Sequence, residues 1–166
     1  MVKQIAIVGA CPLVRGQAPF GNPAWEVWGC SSWKWWELAG KTQAWFEIHR
    51  KTQLNDDRTP EQIQAYTGFL AQHPRVYLNR PWEGVPNGIP YDQGLKMTFG
   101  AEFFDNTVCY ELAQAISLKP DSIYLYGVTL AAGTEWAYQA RAVFHLVDVA
   151  KSQGIDVQAP GSTLFN

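Results

Sequence analysis

The chain has 166 residues, a net charge of −2 and a pI near 5.9; 47% of its residues are hydrophobic and 17% charged. This excludes a disordered chain and suits one domain, residues 1–166, with a full core. The basic residues are scattered in runs no longer than two, which argues against a nucleic-acid partner, and the longest apolar run, near Ile5 to Val8, is far too short for a membrane span.

The predicted elements follow in chain order. "KQIAIVG" is an apolar run ending in Gly9, the pattern of a central strand. Gly9 to Gly16 is a loop with Pro12 and Arg15, and "WEVWGC" reads as a second strand from Trp25 to Gly29. Ser31 or Ser32 caps a short helix through Leu38. "AWFEIH", Ala44 to His49, is a third strand. In "TPEQIQAYTGFLAQH", Thr59 is the N-cap, Pro60 the first helical residue, and Ile63, Tyr66, Phe69 and Leu70 the apolar face. "RVYLN" is a fourth strand, and Pro81 to Gly100 reads as a long irregular loop. Val108, Leu112, Ala115 and Ile116 stripe a helix from about Phe103 to Leu118. A strand follows from Ser122 to Gly127. The last helix runs from about Gly133 to Ser152, Gly154 ends it, and "IDVQAP" is the final strand. Strands alternating with helices imply a parallel sheet covered on both faces.

That architecture predicts where a ligand sits: beyond the carboxyl ends of the strands, where strand order reverses. The residues there are Gly9, Ala10, Cys11 and Arg15 after the first strand, Ser31 after the second and Glu47, His49 and Arg50 after the third. Asn106 and Thr107 stand at the opening of a helix, and Gly127 and Thr129 follow the strand it feeds. Glu47 and His49 alternate onto one face, so an acid, an imidazole and a guanidinium meet at the sheet edge, where they can do acid–base work or hold a phosphate. The plainer reading is a Glu–Arg pair with a satisfied His. Cys11 could join His49 as a nucleophile pair, or simply replace a small loop residue. His145 reads as a packed or surface helix residue.

The eight Trp are far above ordinary usage, and most lie between Trp25 and Trp45. Trp33, Trp35 and Trp36 cannot all point inward from one short helix, so one is expected to be exposed, and the region is a candidate homo-oligomer surface. Cys11, Cys30 and Cys109 are odd in number and lack metal-ligand spacing, as in a reducing cytosol. The N-terminus shows no signal-peptide pattern. The expectation is a cytoplasmic protein without cofactor or metal.

"NTVCYELAQAISLKPDSIYLYGVTL", Asn106 to Leu130, is similar to the central motif of the bacterial sialyltransferases that build lipooligosaccharide caps from CMP-sialic acid. "IAIVGACPLV", "WEVWGCSSW" and "IDVQAPGSTLFN" resemble further pieces of that family in the same order, and short phage-type proteins carry the same skeleton. The resemblance implies that Thr107 stands where the family has a nucleotide-contacting Ser, and Ser31 where it has an Asn. Ala10 replaces an Asn, Cys11 and Leu13 a Gly and a Ser, and Thr129 an Asp. "AAGTEWAYQAR" lacks the family's general-base His, and the lid insertion is missing. Glu135, Tyr138 and Arg141 lie where the family places its base and phosphate-binding tyrosines. With Glu47 or His49, Glu135 is then a substitute base.

The sequence therefore reads as a single Rossmann-like α/β domain that binds a nucleotide or nucleotide sugar, with weak or diverged glycosyl transfer. The alternative is a non-enzymatic phage-type protein that sequesters a small nucleotide or serves as an assembly subunit.

Overall fold

The computed structural model describes residues 4–30, 35–56, 58–129 and 139–161. Seven strands form one sheet: β1 (Gln4–Val8), β2 (Trp25–Cys30), β3 (Ala44–Glu47), β4 (Val76–Leu78), β5 (Gly88–Pro90), β6 (Ser122–Tyr126) and β7 (Asp156–Gln158). Their order is β5-β4-β3-β2-β1-β6-β7, and every pairing is parallel. The helices are α1 (Pro12–Arg15), α2 (Pro60–Gln72), α3 (Gln93–Phe99), α4 (Thr107–Ser117) and α5 (Ala140–Ser152).

The period-2 rule divides the core. Ile5, Ile7, Trp28, Phe46, Ile123 and Leu125 face α4 and α5. Ala6, Val8, Val27, Trp45, Val76 and Leu78 belong to the opposite cluster with Tyr66 and Leu70 of α2. The fold is therefore the expected α/β arrangement, with helices on both faces of a parallel sheet.

The cap of α2 matches its sequence signature: the Thr59 hydroxyl accepts from Gln62 N–H, and the Gln62 side chain accepts from Thr59 N–H. Elsewhere the structure corrects the sequence reading. Residues 81–100 are not an irregular loop; they hold β5 and α3. Gly88 and Pro90 disguise β5, an edge strand paired only to β4, where a missing N–H is tolerated. Asp92 caps α3 by accepting from Gly94 N–H at 2.7 Å. The helix expected from Phe103 begins at Thr107, because Asn106 is its cap and Ala101–Phe103 form a separate 3-10 turn. β2 runs one residue further, to Cys30, and β3 stops at Glu47 rather than His49. Of the short helix expected through Leu38, residues 35–38 fall among the described residues, and Trp35–Glu37 form a 3-10 turn. The first turns of the last predicted helix lie outside them, and α5 is described from Ala140.

Trp28, Trp45 and Trp82 are buried, whereas Trp36 is 59% exposed, as the crowding of Trp33, Trp35 and Trp36 required of one of them. Trp35 stacks on Phe69 at 4.8 Å, and Trp33 lies outside the described residues. Among the described residues no helix is long and apolar enough to cross a membrane, and no group of three or more His, Cys, Asp or Glu could hold a metal ion.

Candidate functional site

Strand order reverses between β1 and β6, so the crevice of an open parallel sheet falls beyond Val8 and Tyr126. Two glycines draw the loops together there. Gly9 N–H donates to Tyr126 O at 2.8 Å and Cys11 N–H to Gly127 O at 3.0 Å. A Cβ on Gly9 would stand 2.6 Å from Gly127 O; Gly127 has φ +65°, and a Cβ there would stand 2.7 Å from Cys11 O. Both positions therefore serve close backbone packing. Ala10 is exposed, and Cys11 and Thr129 are half-buried. Arg15 is buried and its guanidinium pairs with Glu37, which ties α1 to the Trp35–Glu37 turn.

α4 and α5 each return to the start of the next strand through a short turn, so both open at the carboxyl edge. The Asn106 side chain is consumed by capping: Oδ1 accepts from Cys109 N–H at 3.2 Å, and Nδ2 donates to Asp105 Oδ1 at 2.7 Å. Thr107 is the half-buried first residue of α4. Arg141, exposed in the first turn of α5, lies over the Phe103 ring at 5.7 Å. One turn on, His145 stacks on the same ring at 3.8 Å, with Nε2 3.2 Å from Phe99 O. Ser31, Glu135 and Tyr138 lie outside the described residues.

The end of β3 carries a hydrogen-bonded polar network. Glu47 is only 2% exposed. Its Oε1 accepts from His49 N–H at 2.8 Å and lies 2.7 Å from His49 Nδ1. Its Oε2 accepts from the Tyr66 hydroxyl at 2.7 Å, and that hydroxyl accepts from Trp45 Nε1–H at 2.9 Å. The chain Trp45–Tyr66–Glu47–His49 thus runs from the core to an exposed imidazole. The hydrogen bond to Glu47 raises the His49 pKa; burial and the nearby Arg58 work against that shift. Burial first, then the Glu47 charge, pushes the Tyr66 hydroxyl well up, so it stays protonated and keeps donating. Glu47 is too enclosed to meet a substrate, and its geometry orients His49. Arg50 is exposed and does not pair with Glu47 by any hydrogen bond or ion pair among the described residues; its N–H donates to Gln53 Oε1 at 2.6 Å. Cys11 and His49 follow strands separated by β2, about 10 Å of sheet, so the structure does not bring them together as a nucleophile pair.

Sequence reasoning missed several groups at this edge. Lys96 of α3 donates to Asn79 Oδ1 at 3.1 Å and lies over the Tyr110 ring at 4.6 Å, bringing a cation beside the ends of β3 and β4. The Asp92 cap was its legible signal, obscured by the surrounding Pro and Gly. Tyr66 read only as an apolar stripe position, and Glu111 of α4 was not singled out. Two clefts flank α2, away from the β1/β6 crevice: one of about 600 Å³ beside Lys51, Arg58 and Thr67, the other of about 500 Å³ beside Trp35, Phe69 and His73. His73 is a buried structural residue, its Nε2 3.0 Å from Thr42 Oγ1, and burial lowers its pKa.

No protein-family model matches the chain, and no curated protein matches it in sequence. Solved structures do match in fold. The chain is similar to the sialyltransferase CstII from Campylobacter jejuni in complex with the substrate analogue cytidine-5'-monophosphate, with a TM-score of 0.60 and 19% identity over 98% of this chain and 82% of that one. It is similar to the same enzyme in complex with CMP-3FNeuAc, with a TM-score of 0.58 and 17% identity over the same shares. At such identities the likeness is one of fold: a Rossmann-like, all-parallel α/β domain of the kind found in that glycosyltransferase.

Proposed function

We propose that the chain binds a nucleotide or nucleotide sugar at the carboxyl edge of its sheet, and that any glycosyl transfer it performs is weak. The observation that carries this reading is the His49 imidazole, exposed at the end of β3 and held in place by buried Glu47. A raised pKa favours the imidazolium near neutral pH, which suits an anion such as a phosphate better than it suits general-base work. Support comes from the fold neighbours, which hold CMP or a CMP-sugar analogue. Gly9, Ala10, Cys11, Thr107, Gly127 and Thr129 would form the cradle, with Arg50, Ser31, Tyr138 and Arg141 as further contacts. In a transfer reaction by direct displacement, His49 or Glu135 would take the acceptor proton, and Glu47 would act through His49.

The test is a thermal-shift screen of nucleotides and nucleotide sugars. A ligand at 100 times its Kd adds about 2.7 kcal/mol, or a rise of roughly 5–10 °C for a chain of this size. No shift with any nucleotide at millimolar concentration rejects the reading. With CMP-sialic acid and a galactoside acceptor, CMP release should stay near background; fast release abolished by His49→Ala would show a working enzyme instead. Exposed Trp36, edge-on to Trp35 at 6.1 Å, favours the second reading of an assembly subunit. Light scattering that shows only monomer at high concentration counts against it.

A further inference from the structure

The larger cleft beside α2 has a volume of about 600 Å³, within the range of small-molecule sites. Its walls come from three stretches of chain: Lys51 and Arg58 before α2, Ile63, Gln64 and Thr67 on it, and Gly84 between β4 and β5. Two glycines shape it. Gly84 has φ +87°, and a Cβ there would stand 2.9 Å from the Thr67 Cγ2 methyl, so this turn rests directly on α2. Gly68 also lines the cleft, yet a Cβ on it would meet nothing within 4 Å. A Gly inside a helix lowers its stability relative to Ala, and no neighbour among the described residues requires one here. Its effect is to keep the wall of the cleft bare.

The charge of the lining has one sign. Lys51 and Arg58 are both half-buried, and among the described residues no Asp or Glu lines the cleft. Lys51 Nζ donates to Glu83 O at 3.0 Å, which anchors an ammonium that carries two further N–H groups. The Arg58 guanidinium lies over the Tyr66 ring at 5.9 Å. The backbone at the opening of α2 adds little to this. Pro60 has no N–H, Gln62 N–H goes to Thr59 Oγ1, and Ile63 N–H goes to Thr59 O at 3.0 Å. Thr67 gives its hydroxyl proton to Ile63 O at 2.8 Å. Recognition of charge therefore falls to the two cationic side chains, and Pro60 and Ile63 supply the apolar contact.

We propose that this cleft is a second binding site, for a small organic dianion with an apolar body, a phosphate monoester or a dicarboxylate, whose charged head meets Lys51 and Arg58. Two cations match two negative charges, and the planar Arg fork suits carboxylate and phosphate oxygens alike. Half-burial strengthens both pairings relative to a fully exposed surface. The apolar body lies against Ile63 and the bare backbone of Gly68, where it leaves water. The site is apart from the β1/β6 crevice and does not depend on the nucleotide proposed there.

The experiment titrates isotope-labelled protein with phenyl phosphate, phthalate, benzoate and benzyl alcohol and follows the backbone amides by NMR. At least one dianion should move the amides of Gln64, Thr67, Gly68 and Gly84 and bind about fivefold or more tighter than benzoate or benzyl alcohol. The tighter of the two dianions identifies the head group. Lys51→Gln and Arg58→Gln should each weaken binding about 5- to 10-fold. Gly68→Leu places a side chain in the cleft and raises helix propensity, so it should remove binding without lowering Tm. No movement of these amides at about 10 mM of either dianion overturns the proposal, as does a Gly68→Leu variant that binds like the wild type. Benzoate binding as tightly as both dianions overturns the ligand class. Shifts confined to Gly9, His49, Thr107 and Gly127 overturn the second site and leave the proposed function standing.

Discussion

Two glutamates, both almost fully buried, serve opposite faces of the same sheet, and their surroundings could hardly differ more. Glu47, at the end of β3, accepts from His49 N–H and the Tyr66 hydroxyl, and contacts the His49 ring. Glu111, in α4, has no hydrogen-bond partner among the described residues. A buried carboxyl is costly unless hydrogen-bond donors or an opposite charge meet it. Glu47 therefore belongs to a matched network that stabilises the fold and presents an imidazole, whereas Glu111 costs the fold stability. Equal burial of the same residue type says little until the partners are counted.

The comparison breaks most sharply at Glu47. Glu47→Leu leaves the Tyr66 hydroxyl and His49 N–H without their acceptor, and should cost about 3 kcal/mol or more in denaturant unfolding. A loss below 1 kcal/mol would show that the network contributes nothing. Glu111→Met should act in the opposite direction, stabilising by about 1–3 kcal/mol at pH 8. The sign of the pH dependence follows from linkage: the folded-state pKa of about 8 lies above the ordinary 4.5, so the ionisation part of the penalty is absent below pH 4.5, grows as pH rises, and is complete above about pH 8. The Met variant should lose this part of the decline in stability between those limits.

Tyr66→Phe sharpens the picture by removing the link between Trp45 and Glu47. It should cost about 1–2 kcal/mol, leaving Trp45 Nε1–H unmatched and Glu47 with His49 as its remaining partner. The smallest effect belongs to His49→Ala: the exposed imidazole should change stability by no more than about 0.5 kcal/mol near pH 8 while weakening nucleotide binding. The His49 contribution is present below pH 6.5 and lost as pH rises through its raised pKa, so wild type and variant should diverge at acidic pH. NMR titration of His49 checks the cause, since Glu47→Gln should bring its pKa down.

Much of the architecture was legible because it depends on local rules. Short apolar runs marked the buried strands, Thr59 and Pro60 marked the start of α2, and the alternation of strand and helix implied a parallel sheet. Placing Glu47 and His49 together at a strand end also followed from chain order. β5 and α3 were obscured because Gly88 and Pro90 resemble loop punctuation, and an edge strand with one partner needs little strand propensity.

What the sequence by itself determined is therefore the layered parallel fold and the sheet edge where chemistry-bearing residues collect, since both follow from spacings of two and about four residues and from chain order. Tertiary structure decided the rest. It decided that Tyr66 reaches across to Glu47, that Arg15 is committed to Glu37, that Lys96 comes to lie over Tyr110, and that Glu111 is left unmatched against Cys30. These pairs are 19, 22, 14 and 81 residues apart in sequence. The physical reason is that a polar side chain's state depends on whether donors converge on it in space, which local propensity does not encode.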